Sequence, residues 1–117
     1  MTLVTSELAR LELHAALQRK EAAGDLLPGG ARRALAAYDA DVTSGLIVVK
    51  AMDSVVVRRF GAIVEHCYRH VPPILFRTLD AIHVSTAAVA TESIVVATDK
   101  RLREAALSLG FAVFPSP

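Results

Sequence analysis

The stretch Ile94-Val95-Val96-Ala97-Thr98-Asp99-Lys100-Arg101-Leu102, continued by Leu109-Gly110-Phe111-Ala112-Val113-Phe114, decides the fold. Its first four residues are apolar, three of them β-branched, and match the length of a buried strand. Asp99 is the kind of residue that starts a helix, so Asp99 to Leu109 reads as helical, with Gly110 as the residue just past its end. Phe111 to Phe114 then reads as a second short strand. A strand, a helix and a strand in immediate succession predict parallel pairing, because parallel strands need a crossover connection.

The same alternation continues outward. Upstream, Leu79 to Ala90 is nearly all apolar or small, which predicts a helix capped by Thr78 and buried on most sides. Asp53 caps a helix running to about Tyr68, which Val71-Pro72-Pro73 prevents from continuing. Leu46-Ile47-Val48-Val49 is a further β-branched run. Pro28-Gly29-Gly30 marks a turn into a helix from Ala31 to about Val42, ending near Gly45. Thr2-Leu3-Val4 reads as the end of a strand that enters a helix capped by Ser6 or Thr5 and stopped by Gly24 after about Ala23. Strands alternating with helices imply one α/β domain over residues 1–117 with a parallel sheet.

The 117 residues are 53% hydrophobic, enough to fill a core and far from the composition of a disordered chain. Four Phe, two Tyr and no Trp argue against a base-stacking surface. Thirteen Lys and Arg against twelve Asp and Glu give a net charge of +1, so an anionic partner has to be met by a local patch. Cys67 is the one cysteine, which excludes an intrachain disulfide and a cysteine zinc site. It reads as a small buried hydrophobe and fits a reducing cytoplasm. No uncharged run reaches the roughly 20 residues of a membrane span, and the start lacks the pattern of a signal peptide.

Three acids stand out. On a helical wheel Leu8, Leu11, Ala15, Ala16, Ala22 and Ala23 form one face of the first helix, opposite Glu7, Arg10, His14, Gln18 and Glu21. Glu12 sits within the apolar face, where a carboxylate needs a partner such as Arg19, or a metal. Asp80 lies in the first turn of the most apolar helix, where the helix dipole favours an anion by about 0.3 to 1 kcal/mol. Asp99 follows the carboxyl end of a strand, the place where ligands gather in open parallel sheets. Each is also explicable as capping or ion pairing. Together, on oxygen donors alone, they suit Mg²⁺ or Mn²⁺, ions that activate water at a phosphodiester. Lys100, Arg101 and Arg103 beside Asp99 read as phosphate contacts. His83, one turn past Asp80, reads as a core histidine; His66 and His70 read as surface groups at a helix C-terminus.

Thr5-Ser6-Glu7-Leu8-Ala9-Arg10-Leu11-Glu12-Leu13, Leu79-Asp80-Ala81-Ile82-His83, Val96-Ala97-Thr98-Asp99-Lys100-Arg101-Leu102 and Leu109-Gly110-Phe111-Ala112-Val113, in that order, resemble the PIN-domain ribonucleases, and especially the VapC-type toxins of bacterial toxin–antitoxin modules. The resemblance implies a PIN-like α/β fold with a parallel sheet flanked by helices. It implies an endoribonuclease dependent on Mg²⁺ or Mn²⁺, inhibited by a cognate antitoxin and commonly homodimeric. Glu12, Asp80 and Asp99 match three of the family's four metal-binding acids. Thr98 and Ser6 match small hydroxyl positions near the site, with Lys100 and Arg101 beside it on the substrate side. Set against that family, the sequence is expected to lack the usual first strand, the Asp that ends it and the first helix. The alternative function is therefore an inactive PIN-like protein that binds an antitoxin or pairs with a full-length relative.

Overall fold

A computed structural model describes residues 2–116. The chain is mixed α/β and forms two compact units, Met1–Ala51 and Met52–Pro117.

In the first unit, strand β1 (Leu3–Ser6) leads into helix α1 (Ala9–Ala22), helix α2 (Gly30–Ser44) and strand β2 (Ile47–Lys50). The strands pair in parallel with Leu3 opposite Ile47 and Ser6 opposite Lys50. Further bonds from the Leu3 amide to the Leu46 carbonyl (2.9 Å) and from Glu7 to Lys50 (3.2 Å) extend the ladder at both ends. Gly24 and Gly29 adopt positive φ (85° and 81°) in the turn between the helices, as residues without a Cβ do readily. Arg10, near the start of α1, bonds Asp39 late in α2 through two contacts of 2.8 Å. Glu21, near the end of α1, accepts the Ala31 amide at the start of α2 (2.9 Å). The two helices therefore run antiparallel.

These contacts correct the wheel expected for α1. Arg10, Leu13, Leu17 and Glu21, spaced at three and four residues, form the half-buried face. Leu11 is 64% exposed and Ala15 is also exposed. The reason lies in the polar residues: Arg10 and Glu21 find partners on α2, and their positions set the rotation of the helix.

The second unit contains α3 (Ser54–Arg69), α4 (Thr78–Val89), β3 (Ile94–Val96), α5 (Lys100–Ser108) and β4 (Ala112–Phe114). Asp53 caps α3 by accepting the Val56 amide (3.0 Å). Thr78 is the first residue of α4, with Arg77 at the capping position and no side-chain cap. Strands β3 and β4 pair in parallel, Ile94 opposite Ala112 and Val96 opposite Phe114. The parallel strands thus form two two-stranded sheets where the sequence reading expects one. Each pair is closed by its own helical crossover: α1 and α2 join β1 to β2, and α5 joins β3 to β4.

The core joins Ile63 and Cys67 of α3, Ala81 and Val84 of α4, and Ala105 of α5 with Ile74 and Phe76 from the intervening segment. Two bonds fold that segment back along α3: Ile74 amide to Cys67 carbonyl (2.9 Å) and Tyr68 hydroxyl to Phe76 carbonyl (3.2 Å). Helix α4 is buried on most sides, as its composition predicts; Ser85 and Thr86 satisfy their hydroxyls on the carbonyls one turn back, Ala81 and Ile82. Cys67 is fully buried, and burial pushes its thiol pKa up. Among the described residues no helix is long and apolar enough to cross a membrane.

Candidate functional site

Asp99 caps α5. Its Oδ1 accepts the Leu102 amide (3.0 Å), so a residue that ends a β3-to-helix loop is fixed in an extended conformation just beyond the strand's carboxyl end. Its other oxygen, Oδ2, has no partner among the described residues. Thr98, Lys100 and Arg101 stand exposed on either side of it.

Arg103 behaves differently from the phosphate contact expected of it. Its Nη1 donates to the Ala97 carbonyl (2.8 Å) and its Nη2 to the Pro115 carbonyl (2.6 Å). One guanidinium therefore ties the segments that leave β3 and β4, and it does so one turn past Asp99. A fork of fixed donors can bridge two acceptors in this way where lysine, a point charge, cannot. The basic side chains left facing solvent beside Asp99 are Lys100 and Arg101.

Asp80 lies in the first turn of α4, half-buried, with no hydrogen bond or ion pair among the described residues. His83, one turn on, is half-buried. In the first unit Glu12 is half-buried in the first turn of α1. Ser6 is 2% exposed at the end of β1, and its Oγ accepts the Leu8 amide (3.0 Å), which closes the turn into α1. The helix begins at Ala9, so this bond shapes the approach to the helix and is not the end cap expected of Ser6. Among the described residues no group of three or more His, Cys, Asp or Glu is assembled as a metal cluster.

A cavity of about 450 Å³ lies in the second unit. A stripe of α3 at helical spacing, Arg59, Ile63 and His66, forms one wall, and Glu92, Ser93 and Phe111 line the other. Ser93 immediately precedes β3 and Phe111 precedes β4, so the cavity is at the opposite end of these strands from Asp99. The sequence reading does not find it, since its charged residues come from a helix and a turn with no shared motif. Asp80 and Asp99 are not among its lining residues.

The architecture defines an α/β protein with short parallel strands, each pair joined by helices. No family model, curated protein or solved structure matches the chain.

Proposed function

We propose that the chain is a PIN-like endoribonuclease whose acids hold Mg²⁺ or Mn²⁺. The observation that carries this reading is that, among the described residues, two carboxylates of the second unit keep oxygens without a partner: Asp80, half-buried, and Asp99, with one oxygen committed to its helix and the other open. A carboxylate oxygen not spent on a protein donor is open to a cation. The donors are all oxygens, the set a hard divalent ion prefers. Parallel strands joined by a helical crossover, found in each unit by itself, are compatible with the α/β class to which such a fold belongs.

When bound, such an ion supplies Lewis acidity and a readily ionised water for attack on a phosphodiester. Asp80 and Asp99 are assigned to hold it. The cap bond to Leu102 keeps the Asp99 carboxylate from rotating, and Arg103 fixes the backbone from which it projects. Lys100 and Arg101, exposed in the first turn of α5, are assigned to the RNA backbone, and the Thr98 hydroxyl supplies a further donor. The same reading gives the protein a cognate antitoxin as inhibitor and a homodimeric state in the cytoplasm.

Cleavage of a single-stranded RNA in Mn²⁺ tests the proposal. Asp99→Asn retains a cap acceptor and Asp80→Asn retains shape, so both isolate charge from structure. Each is expected to lower cleavage at least about tenfold. Unchanged cleavage in the two aspartate variants refutes the assignment. Absence of both cleavage and a Mn²⁺ site in the unsubstituted protein, read by calorimetric titration, identifies instead the inactive form that binds an antitoxin or pairs with a full-length relative.

A further inference from the structure

We propose that His66 and His70 form a second metal site, a two-imidazole chelate for a borderline divalent transition-metal ion of the Cu²⁺ and Zn²⁺ class. It is independent of the nuclease reading, which rests on oxygen donors for a hard ion.

The two histidines are four residues apart where α3 ends, both exposed, with ring centroids 6.3 Å apart and planes inclined by 58°. Their outer hydrogen bonds determine which nitrogens are available. His70 Nδ1 lies 2.9 Å from the Pro72 carbonyl, which can only accept, so Nδ1 carries the proton and Nε2 presents its lone pair. His66 Nε2 faces Ser108 Oγ at 3.4 Å. The Ser108 hydroxyl is directed at the Ala105 carbonyl (2.8 Å), so its Oγ is an acceptor for an Nε2–H of His66, the tautomer that leaves the Nδ1 lone pair open. Each ring thus donates its far N–H to an oxygen and keeps one free nitrogen, the arrangement by which protein oxygens orient metal-binding imidazoles.

The separation fits. With metal–nitrogen bonds of about 2.0 Å, an ion lies roughly 3.2 Å from each ring centroid, so two rings on one ion have centroids between about 4.5 Å, at a right angle, and about 6.4 Å, opposed. The observed separation of 6.3 Å is at the wide end of that range, where the two nitrogens approach the ion from nearly opposite sides. The end of α3 also presents the negative pole of its dipole to a cation. Arg69 and Glu65, the charged neighbours on the helix, are of opposite sign. Imidazole nitrogen favours Cu²⁺, Zn²⁺ and Ni²⁺ over Mg²⁺, with Cu²⁺ bound most tightly.

The test titrates the full chain with Cu²⁺ at neutral pH in a non-coordinating buffer, by calorimetry and by electron paramagnetic resonance. One equivalent of Cu²⁺ with imidazole nitrogen couplings is expected. His66→Ala and His70→Ala should each weaken binding at least about tenfold and simplify the nitrogen couplings, while His14→Ala, on α1, changes neither. Circular dichroism confirms that each variant is folded, and His70→Gln, at the exposed end of the helix, repeats the loss if His66→Ala fails to fold. Absence of a stoichiometric site, or equal affinity in the His70 variants and the unsubstituted protein, means an adventitious ion only and overturns the proposal.

Discussion

Arg103→Met separates a structural role for this residue from the phosphate-binding role its sequence position suggests. Methionine keeps most of the aliphatic stem and removes the guanidinium, so the packing changes little while the Ala97 and Pro115 carbonyls lose their donors. A hydrogen bond to a charged group contributes about 1.5 to 3 kcal/mol. The bond to Ala97 is partly buried and takes the lower half of that range, whereas the bond to Pro115 is exposed, and water replaces most of it. The expected loss is therefore about 2 kcal/mol, well below the sum of two full bonds. Urea unfolding should show a lower midpoint with an unchanged slope. Because both acceptors are neutral carbonyls, the loss should be nearly the same at low and high salt. A phosphate contact gives the opposite pattern: unchanged stability, and weaker, salt-dependent RNA binding. A destabilisation under about 0.5 kcal/mol together with a shallower salt dependence of RNA binding would falsify the clamp.

Val84 is 1% exposed in the core of the second unit, so Val84→Ala, which removes two methyl groups and leaves a void, should cost about 2 to 3 kcal/mol in the same urea assay. Tyr38 has a buried hydroxyl with no partner among the described residues, and burial raises its pKa; Tyr38→Phe should therefore leave thermal stability unchanged or higher, and a clear loss shows that the hydroxyl has a partner. The Asp39 carboxyl is held below the usual aspartate range by its hydrogen bond from Arg10. Its contribution is fully present above the unfolded value of about 3.9 and is lost as pH falls through the depressed folded value. Asp39→Asn should accordingly flatten the acid limb of stability below about pH 4 and leave its shape near neutrality unchanged, as read from urea midpoints across pH.

What the sequence makes legible here follows from how local each signal is. Asp53 and Asp99 cap the helices they appear to cap because a side-chain acceptor three residues before a free amide is a local device. Gly45 and Gly110 end α2 and α5 with φ of 83° and 91°, again a property of one residue. The buried helix α4 is legible from its composition alone, since it has too few polar residues to present a solvated face. Strand pairing in parallel follows from the crossovers. The division of the strands into two sheets does not, because a four-residue apolar run carries no mark of which neighbour it bonds.

The rotation of α1 and the role of Arg103 show the opposite limit, and they share a cause. A helical wheel scores apolar residues as buried and charged ones as solvated, which holds when charges have no partner. Arg10 and Glu21 have partners on another helix, 29 and 10 residues away in sequence, so these two charged side chains face α2 and Leu11 faces out. Arg103 likewise bonds a carbonyl twelve residues on. The same limit governs the proposed site. Asp80 and Asp99 are nineteen positions apart, and their candidacy rests on what each lacks among the described residues: any partner for Asp80, and a partner for the second oxygen of Asp99. Sequence position puts an acid at a helix start, but only coordinates tell a carboxylate spent on its own helix from one still free to take a cation. By that measure Asp80 is the better indicator of function: a purely helix-dipole role predicts that Asp80→Asn changes stability by no more than about 0.3 to 1 kcal/mol, with no Mn²⁺ dependence. A metal-holding role predicts that Mn²⁺ raises the unfolding midpoint of the unsubstituted protein and not that of the variant.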